Sequence, residues 1–400
     1  MSILNQKKIL LVVTAGIAAY KSAFLVRLLI KKGAEVKVIL SPEALEFVTP
    51  LTLSTLSKNP VEWRFSDEEG NWNNHVDSAL WADYMIVAPA TANTLSKMAD
   101  GAADNLALAT YLSAKCPVYI APAMDLDMYQ HPSTKENSAK LETYGNIIIP
   151  AEKGELASGL SGEGRMAEPE NIVSFLENHI QKSLQFFGKK VLVSAGPTYE
   201  KIDPVRFIGN FSSGKMGIEI AKAASVNGAE VTLVCGPSKE KSDGYGIKRI
   251  DVVSAEEMKS EMEKYFPDAD IVIMSAAVSD YKAVKQADQK IKKFEDELTI
   301  ELTKNPDILK GLGEKKTHQV LVGFALETNN ELEFAKGKLE KKNLDFAVLN
   351  SLQDEEAGFQ KDTNKITIIP RNGEPVFYDA KNKSEVAKDI LNFIVENYKI

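Results

Sequence analysis

Residues 7–41 read KKILLVVTAGIAAYKSAFLVRLLIKKGAEVKVILS. A short apolar run leads through a glycine-containing turn into apolar residues at helical spacing, and a second apolar run follows. Apolar runs of strand length that alternate with amphipathic helices are typical of parallel strands covered by helices on both faces. The stretch therefore predicts a strand–helix–strand unit in a doubly wound α/β domain.

The second half of the chain repeats this plan. KKVLVSAG begins at Lys189, the helical sequence GIEIAKAASVNG follows, and AEVTLVCG is the next apolar run. Further apolar runs at 82–91 and 269–278 also correspond, since both end in small residues. We predict two Rossmann-like domains, 1–185 and 186–400, each with its ligand in the crevice outside the carboxyl ends of the strands.

Composition excludes several classes of protein. The chain has 400 residues and a formal net charge of −8, which argues against nucleic acid as a general partner. No apolar run reaches the ~20 residues that span a bilayer, and the sequence favours a cytoplasmic location. Cys116 and Cys235 fall in predicted strands of different halves, so neither a disulfide framework nor a cysteine zinc site is expected.

The stretch GNFSSGKMG at 209–217 nearly matches the P-loop of ATPases. The last position of that motif is Ser or Thr because its hydroxyl binds Mg²⁺, whereas this chain has Met216. A helical pattern follows the glycines, so free N–H groups at the start of a helix are expected to face an anion. The sequence predicts an anion site without ATPase chemistry.

The segment 154–166, GELASGLSGEGRM, is rich in glycine. A long glycine-rich loop is often a flap or lid over a site, and a solvated surface loop is the alternative. Composition alone leaves both open. The following residues, 168–181, predict the last helix of the first domain, with Pro169 in its first turn.

Several long motifs together resemble one family over essentially the whole chain. They are TAGIAAYK at 14–21, APATANTLSKMADGAADNL at 88–106, PAMDLDMY at 122–129, SAGPTYEKIDPVRFIGNFSSGKMG at 194–217 and AAVSDY at 276–281. The family is the bacterial bifunctional fusion of phosphopantothenoylcysteine decarboxylase with phosphopantothenate–cysteine ligase. The resemblance implies that the second domain couples 4′-phosphopantothenate to cysteine with CTP, and that the first, flavodoxin-like domain decarboxylates the product to 4′-phosphopantetheine with FMN.

For the first domain, the resemblance implies a set of FMN contacts at strand ends. They are Gly16, Ser41, Thr91, Asn93 and Thr94. Gly16 alone is also compatible with an ordinary strand-to-helix turn. The flavin is expected to oxidise the cysteine moiety to a thiocarbonyl, which makes loss of CO₂ easy, and then to return the electrons to the enethiol.

Three residues carry the implied decarboxylation. His75 aligns with the family's proton-transferring base, although a lone His is also compatible with a structural role. Asp125 stands where the family has Asn, and Ser158 stands in the flap where the family has a Cys that protonates the enethiol. A serine is a much weaker acid than a thiol, so either Asp125 and Ser158 are a matched variation or decarboxylation is impaired.

For the second domain, the resemblance implies Asn210 on an acyl-cytidylate intermediate and a set of CTP contacts. Asn210 is also compatible with a turn before Ser–Ser–Gly. The implied contacts are Ser212, Ser275, Ala276, Asp280, Lys290, Pro306, Asp307, Ile308, Leu309, Phe324, Lys338 and Lys342. Lys338 and Lys342 are four residues apart, so on a helix they would share one face. The stretch 289–293 is expected to order over bound nucleotide, and Mg²⁺ is expected with the triphosphate, with Asp280 as a possible ligand.

Two other functions are alternatives to this interpretation. An NAD(P) oxidoreductase is disfavoured because neither half has GxGxxG followed by an acidic residue after the second strand. A flavin-binding regulatory protein remains an alternative for the first half, because of Asp125 and Ser158. The resemblance also implies a homo-oligomer with trimeric decarboxylase contacts and dimeric ligase contacts, which together can close into a dodecamer.

Overall fold

The structure is a computed structural model that describes residues 2–66, 69–156, 158–292, 298–327, 331–351 and 361–398. The chain divides into two compact units, Ser2–Gln181 and a second unit from Lys182 onwards. Lys293, the last residue of the predicted nucleotide-ordered stretch, lies outside the described residues. Within the described part of the chain, no helix combines the length and the apolar character needed to cross a membrane.

The N-terminal unit is a doubly wound α/β fold. The strands are β1 (Lys8–Val13), β2 (Glu35–Leu40), β3 (Val61–Glu62), β4 (Tyr84–Ala90), β5 (Val118–Pro122), β6 (Ile147–Ile148), β7 (Glu152–Glu155) and β8 (Ser161–Arg165). The parallel sheet has the strand order β3-β2-β1-β4-β5-β6, so the order of strands changes from one side of the sheet to the other between β1 and β4, as in Rossmann domains. The helices are α1 (Lys21–Lys31), α2 (Pro50–Ser57), α3 (His75–Trp81), α4 (Ala92–Ala99), α5 (Leu106–Ser113), α6 (Leu126–Gln130), α7 (Pro132–Thr143) and α8 (Pro169–Lys182).

The C-terminal unit repeats the parallel core and extends it. The strands are β9 (Lys190–Ala195), β10 (Tyr199–Lys201), β11 (Phe207–Gly209), β12 (Glu230–Cys235), β13 (Lys248–Asp251), β14 (Ile271–Met274), β15 (Tyr281–Ala283), β16 (Leu302–Lys304), β17 (Val320–Glu327), β18 (Phe346–Ser351), β19 (Thr363–Asn364), β20 (Ile366–Pro370), β21 (Val376–Phe377) and β22 (Lys381–Asn382). The main sheet has the order β13-β12-β9-β14-β17-β18-β20-β21, in which β20 and β21 are antiparallel to their neighbours. The helices are α9 (Lys215–Val226), α10 (Ala255–Tyr265), α11 (Ile308–Lys315), α12 (Glu331–Lys341) and α13 (Lys383–Asn397).

Both sheets are buried on both faces, as the continuous apolar runs predict. β1 contributes five consecutive buried residues after Lys8, and β9 does the same after Lys190. These residues divide between clusters on the two faces of each sheet, because successive side chains of a strand point in opposite directions. The predicted α/β class with doubly wound domains is confirmed.

Two local predictions are corrected. Cys116 lies in the turn between α5 and β5, because Pro117 follows it and the strand begins only at Val118. The glycine-rich segment is not a simple loop, since β7 and β8 pair as an antiparallel hairpin. Its glycines have a packing reason at Gly164, where an added Cβ would lie 2.5 Å from the Met124 carbonyl oxygen.

Candidate functional sites

The N-terminal unit has a cavity of about 390 Å³ where its parallel strands end. Ala15 follows β1, Ser41 follows β2, Thr91 follows β4, and Ala123 follows β5; all four line the cavity. This is the crevice at which the order of strands reverses, where doubly wound folds bind ligands. Ser41, Thr91, Asn93 and Thr94 from the predicted FMN set therefore lie together.

The strand ends around this cavity are joined by hydrogen bonds. Thr14 Oγ1 donates to the Pro89 carbonyl at 2.7 Å and accepts from the Thr91 N–H at 3.3 Å. Thr91 caps helix α4, because its Oγ1 accepts from the Thr94 N–H at 3.3 Å. Gly16 lies against the same residue, since a Cβ on Gly16 would lie 3.6 Å from the Thr91 methyl carbon.

Ser41 fits the phosphate of a flavin nucleotide. Its hydroxyl is buried, and within the described part of the chain Ser41 Oγ has no hydrogen-bond partner. A buried hydroxyl without a partner costs free energy, so it commonly serves a ligand. The residues of this crevice therefore suit an anionic, hydrogen-bonding cofactor, with Ser41 available as a donor.

His75 does not line this cavity. It is the first residue of helix α3, which Asn74 caps by accepting from the Val76 N–H at 3.0 Å. The rings of Phe65 and Trp72 meet the imidazole edge-on, with centroids 6.1 and 6.3 Å away. His75 Nδ1 is buried and has no partner among the described residues, so the described contacts that hold the imidazole are those with the two aromatic rings.

Asp125 lies beside the cavity, between the cavity-lining residues Met124 and Met128. Its Oδ1 accepts from the Leu126 N–H at 2.6 Å at the start of helix α6. The hairpin β7–β8 packs on this loop, because the Met124 N–H donates to the Gly164 carbonyl at 2.9 Å. Asp125, which stands where the family has Asn, is therefore covered by the glycine-rich hairpin.

Ser158 lies exposed at the tip of that hairpin, where its Oγ accepts from the Leu160 N–H at 3.4 Å. Neither cysteine takes the place of the thiol expected at position 158. Cys116 precedes β5, at the end of the sheet opposite the cavity, and burial raises the pKa of its thiol. Cys235 belongs to the other unit, where burial raises its pKa to about 11.

Lys21 was missed by the sequence analysis. This lysine is buried, and its Nζ donates to the Met166 carbonyl at 2.9 Å and to Glu168 at 3.0 Å. Burial acts to raise the pKa of Glu168, but the hydrogen bonds from Lys21 and Arg165 outweigh it and lower that pKa. Lys21 thereby fixes the base of the β7–β8 hairpin, and its position in TAGIAAYK was the only available signal.

The C-terminal unit has a larger cavity, of about 480 Å³. It lies between the loop after β14, the start of α11, strand β17 and the end of α12. Nine residues of the predicted CTP set line it: Ala276, Asp280, Pro306, Asp307, Ile308, Leu309, Phe324, Lys338 and Lys342. These residues come from motifs that are far apart in sequence, and the fold of a single chain places them around one cavity.

Lysines give this cavity its positive charge. Lys338 Nζ donates to the Phe324 carbonyl at 2.9 Å, and Lys342 pairs with Asp307 at 2.9 Å. Lys338 lies in the last turn of α12, whereas Lys342 lies just beyond the end of that helix at Lys341, so the two lysines line the cavity without both belonging to one helix face. Lys304, which the sequence analysis did not single out, also lines the cavity. Together these ammonium groups suit a polyphosphate.

Lys304, Lys338 and Lys342 form what we call the lysine wall of this cavity, and Asp307 pairs with one of them. It caps α11 by accepting from the Lys310 N–H at 3.0 Å, and it accepts from Lys342 Nζ at 2.9 Å. Burial acts to raise the pKa of Asp307, but the hydrogen bonds from Lys342 and from the Lys310 N–H outweigh it and lower that pKa. The neighbouring Asn305 was also missed; its Nδ2 donates to the Ser279 carbonyl at 2.8 Å.

Ser212, Ser275 and Lys290 of the predicted set do not line the cavity, and neither does Asn210. Asn210 lies close to it, because its Nδ2 donates at 3.0 Å to the carbonyl of Val278, which does line it. Ser212 Oγ accepts from the Gly214 N–H at 3.2 Å, just before α9 begins at Lys215. Met216 is the second residue of α9, and its side chain is buried in the core.

Comparison with known proteins places both units. Residues 2–181 match the family described as "Flavoprotein", and residues 186–398 match "DNA/pantothenate metabolism flavoprotein C-terminal domain". The CoaBC bifunctional protein of coenzyme A biosynthesis from Bacillus subtilis is 44% identical over 395 residues, covering 98% of this chain and 97% of that protein. A solved structure of the C-terminal domain of CoaBC is 40% identical, covers 54% of this chain and 97% of that one, and superposes with a TM-score of 0.47.

A differently named relative is more similar in sequence. A cysteine/cysteine sulfinic acid decarboxylase from an unknown prokaryotic organism is 52% identical over 354 residues, which cover 87% of this chain and 99% of that protein. CoaBC proteins of several bacteria nevertheless align over nearly the whole chain, as the Haemophilus influenzae protein does at 42% identity over 398 residues. The chain therefore belongs to the CoaBC family of bifunctional coenzyme A biosynthesis proteins.

Proposed function

We propose that the C-terminal unit couples 4′-phosphopantothenate to cysteine at the expense of CTP. The observation that carries this proposal is the convergence of nine predicted nucleotide residues around one lysine-walled cavity. The substrate carboxylate attacks the α-phosphate of CTP, forming an acyl-cytidylate and releasing pyrophosphate. The cysteine amine then attacks the acyl carbon, an amide bond forms, and CMP leaves with the electrons of the broken C–O bond.

The side chains divide this work between binding and orientation. Lys304, Lys338 and Lys342 hold the phosphates, where fixed positive charge stabilises the charge that builds up during transfer. Asn210 is anchored to the cavity wall through Val278, and the second N–H of its amide would donate to the charge that develops on the acyl intermediate. Mg²⁺ would supply further charge neutralisation at the triphosphate, with Asp280 on the cavity wall as a candidate ligand.

For the N-terminal unit we propose FMN-dependent decarboxylation of the ligation product to 4′-phosphopantetheine. Ser41, Thr91, Asn93 and Thr94 would hold the cofactor in the strand-end crevice. When bound, FMN supplies a two-electron oxidation of the thiol and its later reversal, which makes loss of CO₂ possible. His75 accepts the proton that leaves during oxidation, and Asp125 and the β7–β8 hairpin, with Ser158 at its tip, enclose the cysteine moiety.

Mass spectrometry of the products tests both steps. The purified chain is incubated anaerobically with FMN, 4′-phosphopantothenate, cysteine, CTP and Mg²⁺. Accumulation of 4′-phosphopantetheine is the expected result. Arrest at the cysteine conjugate or at the enethiol would support the impaired-decarboxylase alternative, and absence of any conjugate would overturn the ligase proposal.

A second candidate function is decarboxylation of free cysteine or cysteine sulfinic acid by the N-terminal unit. The observation that favours it is the 52% identity to a relative with that name. Asp125 is chemically compatible, because a carboxylate beside the cavity suits the α-ammonium group of a free amino acid better than the acylated nitrogen of the conjugate. CO₂ release from equimolar cysteine, cysteine sulfinate and phosphopantothenoylcysteine decides between the two, and preference for the conjugate would eliminate this candidate.

We further propose a cytoplasmic homo-oligomer with trimeric contacts between N-terminal units and dimeric contacts between C-terminal units. Large apolar side chains are exposed on both units, including Leu51 at 75% and Phe211 at 80% exposure. A second copy of the chain would cover them. Native mass spectrometry at micromolar concentration should give a multiple of six chains; a monomer would contradict the assembly.

A further inference from the structure

The turn of the β10–β11 hairpin contains a buried carboxylate that the proposed reaction does not use. The side chain of Asp203 is 0% exposed. Its Oδ1 accepts from the N–H groups of Val205 and Arg206 at 2.8 Å each, and its Oδ2 accepts from Arg206 Nε at 2.9 Å and Nη2 at 2.5 Å. Burial acts to raise the pKa of Asp203, but these hydrogen bonds outweigh it and hold the pKa well below its usual range.

The same pair binds the segment that carries Lys290, between β15 and β16. The Ile291 N–H donates to Asp203 Oδ2 at 3.2 Å, and Arg206 Nη2 donates to the Ile291 carbonyl at 2.8 Å. A few residues earlier, the Ala287 N–H donates to the Ile202 carbonyl at 2.9 Å. The backbone is thus fixed to the hairpin turn on both sides of Lys290, although Lys290 itself is exposed.

The other end of the hairpin is fixed to the nucleotide cavity. β11 ends at Gly209, and the next residue, Asn210, donates to the Val278 carbonyl in the cavity wall. The β15–β16 hairpin leaves the same wall directly after Asp280. The β10–β11 hairpin therefore connects the cavity wall to the backbone beside Lys290.

We propose that Asp203 and Arg206 are positioning residues that set where Lys290 meets the phosphates of the nucleotide. The inference rests on the proposed CTP-dependent ligation and on the phosphate contact of Lys290. Holding the backbone beside Lys290 in advance removes part of the ordering cost that nucleotide binding would otherwise bear. Asp203→Asn directs an amide NH₂ at the donors of Arg206 and Ile291, so the contact to the Lys290 segment is lost together with the ion pair.

The test uses the full-length chain with Asp203→Asn, Lys290→Gln and the double variant. Pyrophosphate release is followed while CTP is varied at saturating 4′-phosphopantothenate and cysteine. Each single variant should raise KM for CTP about tenfold, the size of one lost charge-assisted hydrogen bond, with a smaller change in kcat. The double variant should be no worse than the weaker-binding single variant, because both changes remove the same interaction.

Asp251→Asn is the matched control. Asp251 accepts from Arg249 Nε at 2.8 Å in the same unit, and neither residue lines the cavity, so this variant should leave KM for CTP unchanged. Arg206→Lys is the second variant in case Asp203→Asn fails to fold. It retains the charge but loses the fork that reaches the Ile291 carbonyl, so KM should rise and the Ile291 amide should exchange hydrogen faster.

The outcomes distinguish failure of the positioning inference from failure of the proposed CTP-dependent ligation. If Lys290→Gln leaves KM for CTP unchanged, the proposed phosphate contact of Lys290 is wrong. If Lys290→Gln raises KM while Asp203→Asn and Arg206→Lys do not, the ligase proposal stands and the positioning inference is overturned. Multiplicative effects in the double variant would also overturn it, because Asp203 would then act independently of Lys290.

Discussion

The two cavities differ in how much of their predicted chemistry a single chain brings together. In the C-terminal unit, residues from β14, α11, β17 and α12 surround one cavity and supply lysines, a helix cap and an acidic residue. In the N-terminal unit, the strand ends that suit FMN phosphate converge, but His75 and Ser158 lie away from the cavity. The C-terminal cavity has nine of its twelve predicted nucleotide residues on its wall, whereas the N-terminal cavity is lined by four of the five proposed FMN residues and lacks the proposed base.

The difference follows from where the residues sit in the fold. Residues directly after parallel strands meet at one edge of the sheet in both units, so their convergence is a consequence of topology. His75 begins a helix on the outside of the sheet, and Ser158 is at the tip of a hairpin. Residues at such positions reach a cavity only if another element meets them there. We therefore expect His75 to act on the cavity of a neighbouring subunit.

The largest expected effect comes from His75→Asn, which removes the proposed base of the N-terminal unit and leaves the C-terminal cavity unchanged. Loss of a proton-transferring imidazole should lower decarboxylation by about 10²- to 10⁴-fold. Flavin content and CTP-dependent ligation should stay at the level of the unchanged chain, because His75 lines neither cavity. CO₂ release and pyrophosphate release, measured on the same preparation, check both parts.

Mixed oligomers show whether His75 acts between subunits. Chains with His75→Asn are unfolded and refolded together with chains carrying Asn93→Asp, a change in the flavin cavity. If His75 of one subunit serves the cavity of another, mixing should restore part of the decarboxylation that neither variant has alone. No recovery in oligomers shown to be mixed would place the base and the flavin in the same chain.

The next effect concerns the lysine wall of the C-terminal cavity. Lys338→Gln should lower kcat/KM for CTP about 10- to 100-fold, because one charge-assisted hydrogen bond to phosphate is lost. Lys310→Gln is a matched control, since Lys310 is an exposed lysine near Glu314 on helix α11 and does not line the cavity. Equal losses in both variants would mean that net charge, rather than the lysine wall, governs nucleotide binding.

Ser41→Ala should have a smaller effect, raising the stability of the flavin-free chain while lowering the affinity for FMN. The hydroxyl is buried and has no partner among the described residues, so its removal should slightly stabilise the flavin-free chain. FMN affinity should fall about five- to tenfold, since a donor to the phosphate is lost. Thermal unfolding without flavin measures the change in stability, and flavin titration measures the change in FMN affinity. If removal of the hydroxyl leaves FMN affinity unchanged, Ser41 has no role at the phosphate.

Much of the fold could be predicted because it depends on local patterns. The apolar runs placed β1 and β9, and Pro169 marked the start of α8, as the structure confirms. Cys116 was assigned wrongly to a strand, because the apolar pattern does not show where a strand begins after a proline turn. The pairing of β7 with β8 was also missed, because glycines are common in loops and the sequence does not show that Gly164 is required by its close approach to the Met124 carbonyl.

The parts of the sites that were missed depend on partners far along the chain. Lys21 is buried only because Glu168 and the Met166 carbonyl meet its ammonium group, and no local pattern announces that pairing. The Asp203–Arg206 pair is local, but its contact with Ile291 is not. Sequence motifs therefore found nine residues that line the C-terminal cavity and four that line the N-terminal one, whereas the residues that hold them in place required the tertiary structure.

The smallest expected effect compares the two helix caps that face the cavities. Asp307→Asn keeps an oxygen that can cap α11 but removes the ion pair with Lys342, so the free energy of unfolding should fall by about 0.5 kcal/mol at pH 7, after screening by solvent. The folded chain lowers the pKa of Asp307 below its unfolded value of about 3.9, so this contribution is complete above that value and is lost as pH falls through the folded pKa. The difference between the two chains should therefore be constant from pH 7 to about pH 5 and shrink below pH 4.

Thr91→Ser provides the counterpart in the N-terminal unit. Thr91 caps α4 with a hydroxyl that does not ionise in this range, so any stability difference from Thr91→Ser should not change with pH. Urea unfolding of both variants and the unchanged chain between pH 3 and 7 measures the contrast. A pH-independent difference for Asp307→Asn would mean that the ion pair with Lys342 adds nothing to the stability of the folded chain.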